Sequence, residues 1–76
     1  MNLSEKNAKR FMRAAGRVRR RRLELGETAE ELARRAGIPA RSVRAVEAGE
    51  PGALRMDEIF NLCAALGLRP ADLFGP

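Results

Sequence analysis

At 76 residues, 45% hydrophobic and 33% charged, the chain is one small domain, too apolar for wholesale disorder and small enough to leave room for a partner subunit. With no His, Trp or Tyr and a single cysteine, Cys63, it can form neither a zinc site nor an internal disulfide, and no nucleophile, base and orienting group are arranged together, so no metal, no cofactor and no enzyme activity are expected. The net charge of +5 is uneven: residues 1–46 hold 13 Lys/Arg against 5 Asp/Glu, and residues 47–76 hold 2 against 5, so the amino-terminal part should seek polyanions, nucleic acid before membrane.

The longest apolar run, Leu62 to Leu66, is far too short for a bilayer, and no apolar stretch follows the basic start, so neither a membrane segment nor a signal peptide is expected. Cys63 reads as a small core residue, which suits a reducing cytoplasm. Strand-like alternation is absent and the periodicity is helical throughout. Gly26, Gly37, Gly49 to Gly52 and Gly67 cut the chain into five helical pieces, predicting an all-α domain.

The first helix should run from a Ser4 cap to Leu25, with Phe11, Ala14, Ala15, Val18 and Leu25 on one face. Residues 1–12 read as a helical extension continuous with it, and 13–76 as the domain proper. The second helix opens on Thr28-Ala29-Glu30-Glu31, a Thr-x-x-Glu capping box, buries Leu32, Ala33 and Ala36, and stops at Gly37. The third begins at or just before Pro39 and runs past Val43 and Val46 to Gly49. A fourth, about Met56 to Leu66, buries Ile59, Leu62, Cys63 and Leu66, and Pro70 opens a short fifth turn ending in Leu73-Phe74.

Two short helices separated by a Gly37-Ile38 corner must cross steeply with their backbones close. Ala33 supplies a small contact, Gly37 tolerates positive φ, and Val43 anchors the second helix on the first. Together with Val18-Arg19-Arg20-Arg21-Arg22, Gly26-x-Thr28, Glu31-Leu32-Ala33, Glu47-x-Gly49, Leu62-Cys63-Ala64-Ala65-Leu66-Gly67 and Leu73-Phe74, this stretch resembles the Cro-like phage-repressor, or Xre-type, helix-turn-helix family over about residues 16–74.

The resemblance implies a compact five-helix lambda-repressor-like fold whose third helix enters the major groove of double-stranded DNA, commonly as a homodimer on a palindromic operator. With Val43 and Val46 inward, Ala40, Arg41, Arg44, Ala45 and Ala48 are expected outside. Arg41 and Arg44 share a face and offer the planar fork that matches guanine O6 and N7. Ala40 and Ala45 can touch only thymine methyls, and Ala48 can let the helix sit close to the backbone. Phosphates are assigned to Arg19, Arg21, Thr28, the amide of Ala29, Ala48 and Arg55. Leu68, Leu73 and Phe74 are assigned to a dimer seam. Three positions depart from the family: Ala29 where Gln often clamps a phosphate, Pro39 in place of a polar cap, and Glu27 where an apolar residue is common.

The four consecutive arginines cannot share one stripe, because neighbours on a helix lie about 100° apart. With Val18 at zero, Arg22 falls near about 40°, on the apolar side, where it needs a partner. The inward-facing Glu47 fits, and the resemblance implies this pair. Arg20 faces solvent beside Glu24. Arg19 and Arg21 flank the apolar face on opposite sides, and which flank meets DNA stays open.

The expected function is a sequence-specific DNA-binding transcriptional regulator, a repressor by occupancy of its operator. The rival is an antitoxin, or another helix-turn-helix module whose partner is a toxin or a transcription-machinery protein. A third is nonspecific nucleic-acid or membrane binding through the basic first helix, although Phe11 and Met12 offer little apolar surface for a membrane.

Overall fold

In the computed structural model of the chain, the backbone is described for residues 3–75 and the side chains for residues 5–75. Among these residues five helices follow one another: α1 (Leu3–Glu24), α2 (Ala29–Ala36), α3 (Ala40–Glu47), α4 (Met56–Leu66) and α5 (Pro70–Phe74), with a 3-10 turn at Pro51–Ala53. No strand occurs among the described residues.

α1 runs unbroken through Gly16, and its first turns continue directly into the packed part. The backbone is already helical at Leu3, which puts Ser4 inside the first turn; the Ser4 side chain, and so the expected cap, lies outside the described residues. The helix stops one residue before Leu25, and Gly26 takes a left-handed φ of 70°. Leu25 is therefore carried off the apolar face and stays 40% exposed.

The start of α2 is a reciprocal capping box. The Glu31 amide donates to Thr28 Oγ1 at 3.1 Å and the Thr28 amide donates to Glu31 Oε1 at 2.9 Å. Its end is Gly37 at φ 71°, where the Ile38 amide donates to the Ala33 carbonyl at 3.0 Å. Pro39 is the residue before α3 rather than its first, and no side chain caps that end. Its carbonyl instead accepts from the Ser42 amide at 3.0 Å.

The core is one cluster to which every helix contributes: Val18 from α1, Leu32 from α2, Val43 and Val46 from α3, Leu62, Cys63 and Leu66 from α4, and Leu73 from α5. All are essentially inaccessible, and burial pushes the Cys63 thiol up, away from the reactive thiolate.

Three of the four helices after α1 begin on a carboxylate that accepts a backbone amide: Glu31 from Thr28, Glu58 from Arg55 at 2.9 Å, and Asp72 from Arg69 at 3.0 Å. The amide bond is the main cause holding Glu31 and Glu58 below the usual carboxylate range; for Asp72 the Arg69 side chain leads and the amide follows. Carboxylates depressed in the folded state bind fewer protons there than in the unfolded state, so their stabilisation is present above the unfolded value and lost as pH falls. Thermal stability should be flat from pH 7 to about 5 and decline below about pH 4. A melting temperature independent of pH from 7 to 3 would contradict this capping role.

Candidate nucleic-acid interface

α2 and α3 meet at the Gly37 corner with Ala33, Ile38 and Val43 buried between them. The inward side of α3 also buries Ser42, whose hydroxyl donates to Glu58 Oε2 of α4 at 3.1 Å. Sequence reading missed this residue, because a serine between Arg41 and Val43 carries no sign of an acceptor sixteen positions away.

The carboxyl end of α3 is held by charge. Arg22 donates through Nε to Glu47 Oε2 at 2.7 Å and through Nη2 to Oε1 at 2.8 Å, a bidentate pair with each side chain only 14% exposed. Arg22 Nη1 also donates to the Glu27 carbonyl at 2.8 Å, so one guanidinium joins α1, the α1–α2 turn and α3. Its bonds to Glu47 raise the Arg22 pKa further and outweigh its burial, keeping it charged.

Outward, α3 presents Arg41, Arg44 and Ala48, all exposed. Ala40 and Ala45, expected beside them, are half-buried and pack against the core. α3 lies against α1, α2 and the 3-10 turn, so its flanks are covered as well as its inner face. Arg44 forms an ion pair with Glu30 of α2, with both side chains more than half exposed. Glu30's own backbone amide, then Arg44, hold its carboxyl below the usual range.

Arg41 stands over a cleft between the α2–α3 corner and the start of α4, lined also by Pro39, Arg55, Asp57 and Asn61. Arg55 is exposed and donates to Asp57 at 2.9 and 3.2 Å. Thr28 is exposed and its oxygen already accepts within the capping box, leaving its hydroxyl hydrogen for an outside acceptor. Ala29 is half-buried against the core, so only its backbone is available at the start of α2. Glu27, the odd residue beside this turn, is answered by Arg35, which donates to both carboxylate oxygens at 2.7 and 2.9 Å.

The flanks of α1 differ. Arg19 is exposed and makes no hydrogen bond or ion pair among the described residues. Arg21, assigned to a phosphate, instead donates through Nε to the Leu66 carbonyl at 2.9 Å and so closes the end of α4. Glu24, expected beside Arg20, sits 3.9 Å from Arg21. One turn earlier, Arg17 donates to the Asp72 and Leu73 carbonyls at 2.9 and 2.8 Å, closing α5 in the same way. The four-residue spacing of Arg17 and Arg21 puts them on one side of α1, but a backbone carbonyl acceptor leaves no trace in a sequence.

Of the residues assigned to a dimer seam, Leu73 is 1% exposed in the chain's own core and has no surface to offer a second copy. The five-residue α5 turns it inward against α1 and α4. Leu68 and Phe74 are half-buried, and Phe74 meets Phe11 edge to face with ring centroids 6.5 Å apart.

Two short helices crossing over a glycine corner, with the second locked from behind and showing two arginines outward, define a helix-turn-helix DNA-binding domain. The profile of the Cro/C1-type HTH DNA-binding domain matches the chain over residues 1–76, and the chain belongs to that family, a family of DNA-binding transcriptional regulators. Neither a search of curated proteins nor one of solved structures gave a match. Among the described residues no helix is long and apolar enough to cross a membrane.

Proposed function

We propose that the chain is a cytoplasmic transcriptional repressor that occupies an inverted-repeat operator as a homodimer, with α3 in the major groove and Arg41 and Arg44 each reading a guanine. The observation that carries this reading is the division of α3: Ser42, Val43 and Val46 are buried and Glu47 is clamped by Arg22, while Arg41 and Arg44 stand outward on a helix that cannot roll. A positioned guanidinium keeps its fork aligned for O6 and N7, worth about 1 to 3 kcal/mol of base discrimination. Thr28, the Ala29 amide, Arg19 and Arg55 support it on phosphates. The second copy meets Phe74, Leu68 and Ile59, which lines one groove with Phe74. In a competition mobility shift near physiological salt, an inverted repeat selected by the protein should outcompete random duplex by at least about 1,000-fold. Equal competition would rule out specific regulation.

Glu30 has a defined part in this reading. It tethers Arg44 yet brings a carboxylate to a surface meant for phosphates. Glu30→Gln should tighten binding to random duplex by removing one carboxylate facing the phosphates, while lowering the ratio of operator to random affinity as Arg44 loses its tether. Unchanged affinity for both duplexes, measured by fluorescence anisotropy, would show that the Glu30–Arg44 pair has no bearing on DNA.

A further inference from the structure

The cations of α1 gather on the side of the helix away from α3. At about 100° per residue from Val18, Lys6, Lys9, Arg10, Arg13 and Arg20 all fall between about 180° and 280°. The buried Ala14, Val18 and Ala15 lie opposite, between about 320° and 60°. Arg17, at about 260°, lies in the same arc and Arg21, at about 300°, just beyond it, but both are turned onto the carbonyl ends of α5 and α4. The other five are exposed and make no hydrogen bond or ion pair among the described residues. The one carboxylate in the arc, Glu24, lies at its far end beside Arg21.

This arrangement works against the isolated helix. Lys6 with Lys9 and Arg10, and Arg13 with Lys9 and Arg10, are like charges three and four residues apart, which repel on a helix surface. Lys6 also sits near the positive end of the helix dipole. Residues 5 to 10 are all exposed, so no packing offsets the repulsion. A polyanion laid along the stripe would.

We infer that this stripe is a second nucleic-acid surface, which binds the sugar-phosphate backbone of a duplex DNA segment other than the one read by α3. From Lys6 to Arg20 it spans about 21 Å, alongside about six phosphates of one strand. α3 is held to the buried face of α1 by the Arg22–Glu47 pair, opposite the stripe, and Arg44 is turned to Glu30 of α2, so one straight duplex along α3 does not reach the stripe. A membrane would need several large apolar residues among the cations; of the described residues of α1 only Met12 and Leu23 are large, apolar and exposed, and at about 120° and 140° both lie outside the basic arc. The stripe acts without the recognition helix and so stands apart from the reading of a specific operator.

The test is capture of a second duplex. Protein is loaded on an immobilised duplex, and a labelled random duplex is then added. The parent chain should retain the label. A variant combining Lys6→Gln, Lys9→Gln, Arg10→Gln, Arg13→Gln and Arg20→Gln, which keeps good helix formers, should retain only background. Its slope of log affinity against log salt on random duplex should be shallower by about 4 to 5. Exchanging Lys for Arg and Arg for Lys at the five positions should leave capture intact. Arg41→Ala with Arg44→Ala should lose base preference and still capture, which separates this surface from the reading helix. Amide exchange over residues 5–13 of the parent chain should slow when random duplex is added in excess of the first. Capture by the Gln variant equal to the parent's, no capture by the parent, no slowing of exchange, or binding to phosphatidylserine vesicles in place of a second duplex would each overturn the inference.

Discussion

Glu47→Gln should lower the melting temperature by about 12 to 24 °C. The substitution leaves the Arg22 guanidinium, 14% exposed, facing a neutral amide. Breaking one side of a buried pair typically costs about 3 to 5 kcal/mol, and the residual exposure argues for the lower end, about 3 kcal/mol. In a 76-residue domain each kcal/mol moves the midpoint by about 4 to 8 °C, and the whole domain is stable by roughly 4 to 11 kcal/mol. The loss is therefore a large share of the total. Because Arg22 also holds the Glu27 carbonyl, the damage should spread to the α1–α2 turn and to the carboxyl end of α3, weakening DNA binding as well. Replacing both charges, Arg22→Met with Glu47→Leu, should recover much of the stability by removing the unpaired charge. A midpoint unchanged in the single variant, followed by circular dichroism, would show that the pair does not hold α3.

Arg44→Ala should erase a base preference that Arg19→Ala leaves intact. Loss of a bidentate guanine contact removes about 1 to 3 kcal/mol of discrimination, roughly 5- to 150-fold in the ratio between preferred and substituted sites. Arg19→Ala should weaken every duplex alike and flatten the salt slope by about 1, since a phosphate contact carries no sequence information. Arg41→Ala should relax a different position from Arg44→Ala, because the two lie on successive parts of α3. Binding isotherms on a panel of single-base variants check all three. Indistinguishable behaviour of Arg44→Ala and Arg19→Ala would contradict the division between reading and positioning.

Where residues announce their own backbone conformation, sequence reading went far. Thr28 with Glu31 marked the start of α2, Gly37 its end, and the inward angle of Arg22 required the acid that Glu47 supplies. Contacts whose partner is a main-chain atom or depends on crossing geometry were out of reach. Arg21 looked like a free cation because the Leu66 carbonyl is invisible in a sequence, and Arg17 drew no attention for the same reason. Ala40 and Ala45 lie on the outward side of an isolated helix wheel, but the wheel does not show α2 and the 3-10 turn covering the flanks. Leu73 at the end of the chain resembled a surface anchor, whereas the short α5 folds it into the core. Glu30 stands in the capping-box stretch with no sign of a partner in the sequence, and in the fold it pairs with Arg44 across the α2–α3 crossing.

Base reading by Arg41 and Arg44 is proposed to depend on a locked α3 that holds them outward. Selection of duplexes from a random pool, run in parallel with the parent chain and with Arg44→Ala, decides it. The parent should enrich an inverted repeat carrying guanine at fixed positions, with half-site centres about one helical turn, or about 10 base pairs, apart. Arg44→Ala should enrich the same repeat with one guanine position in each half-site randomised. No enrichment by the parent, or the same guanine retained by Arg44→Ala, would show that these arginines do not read bases.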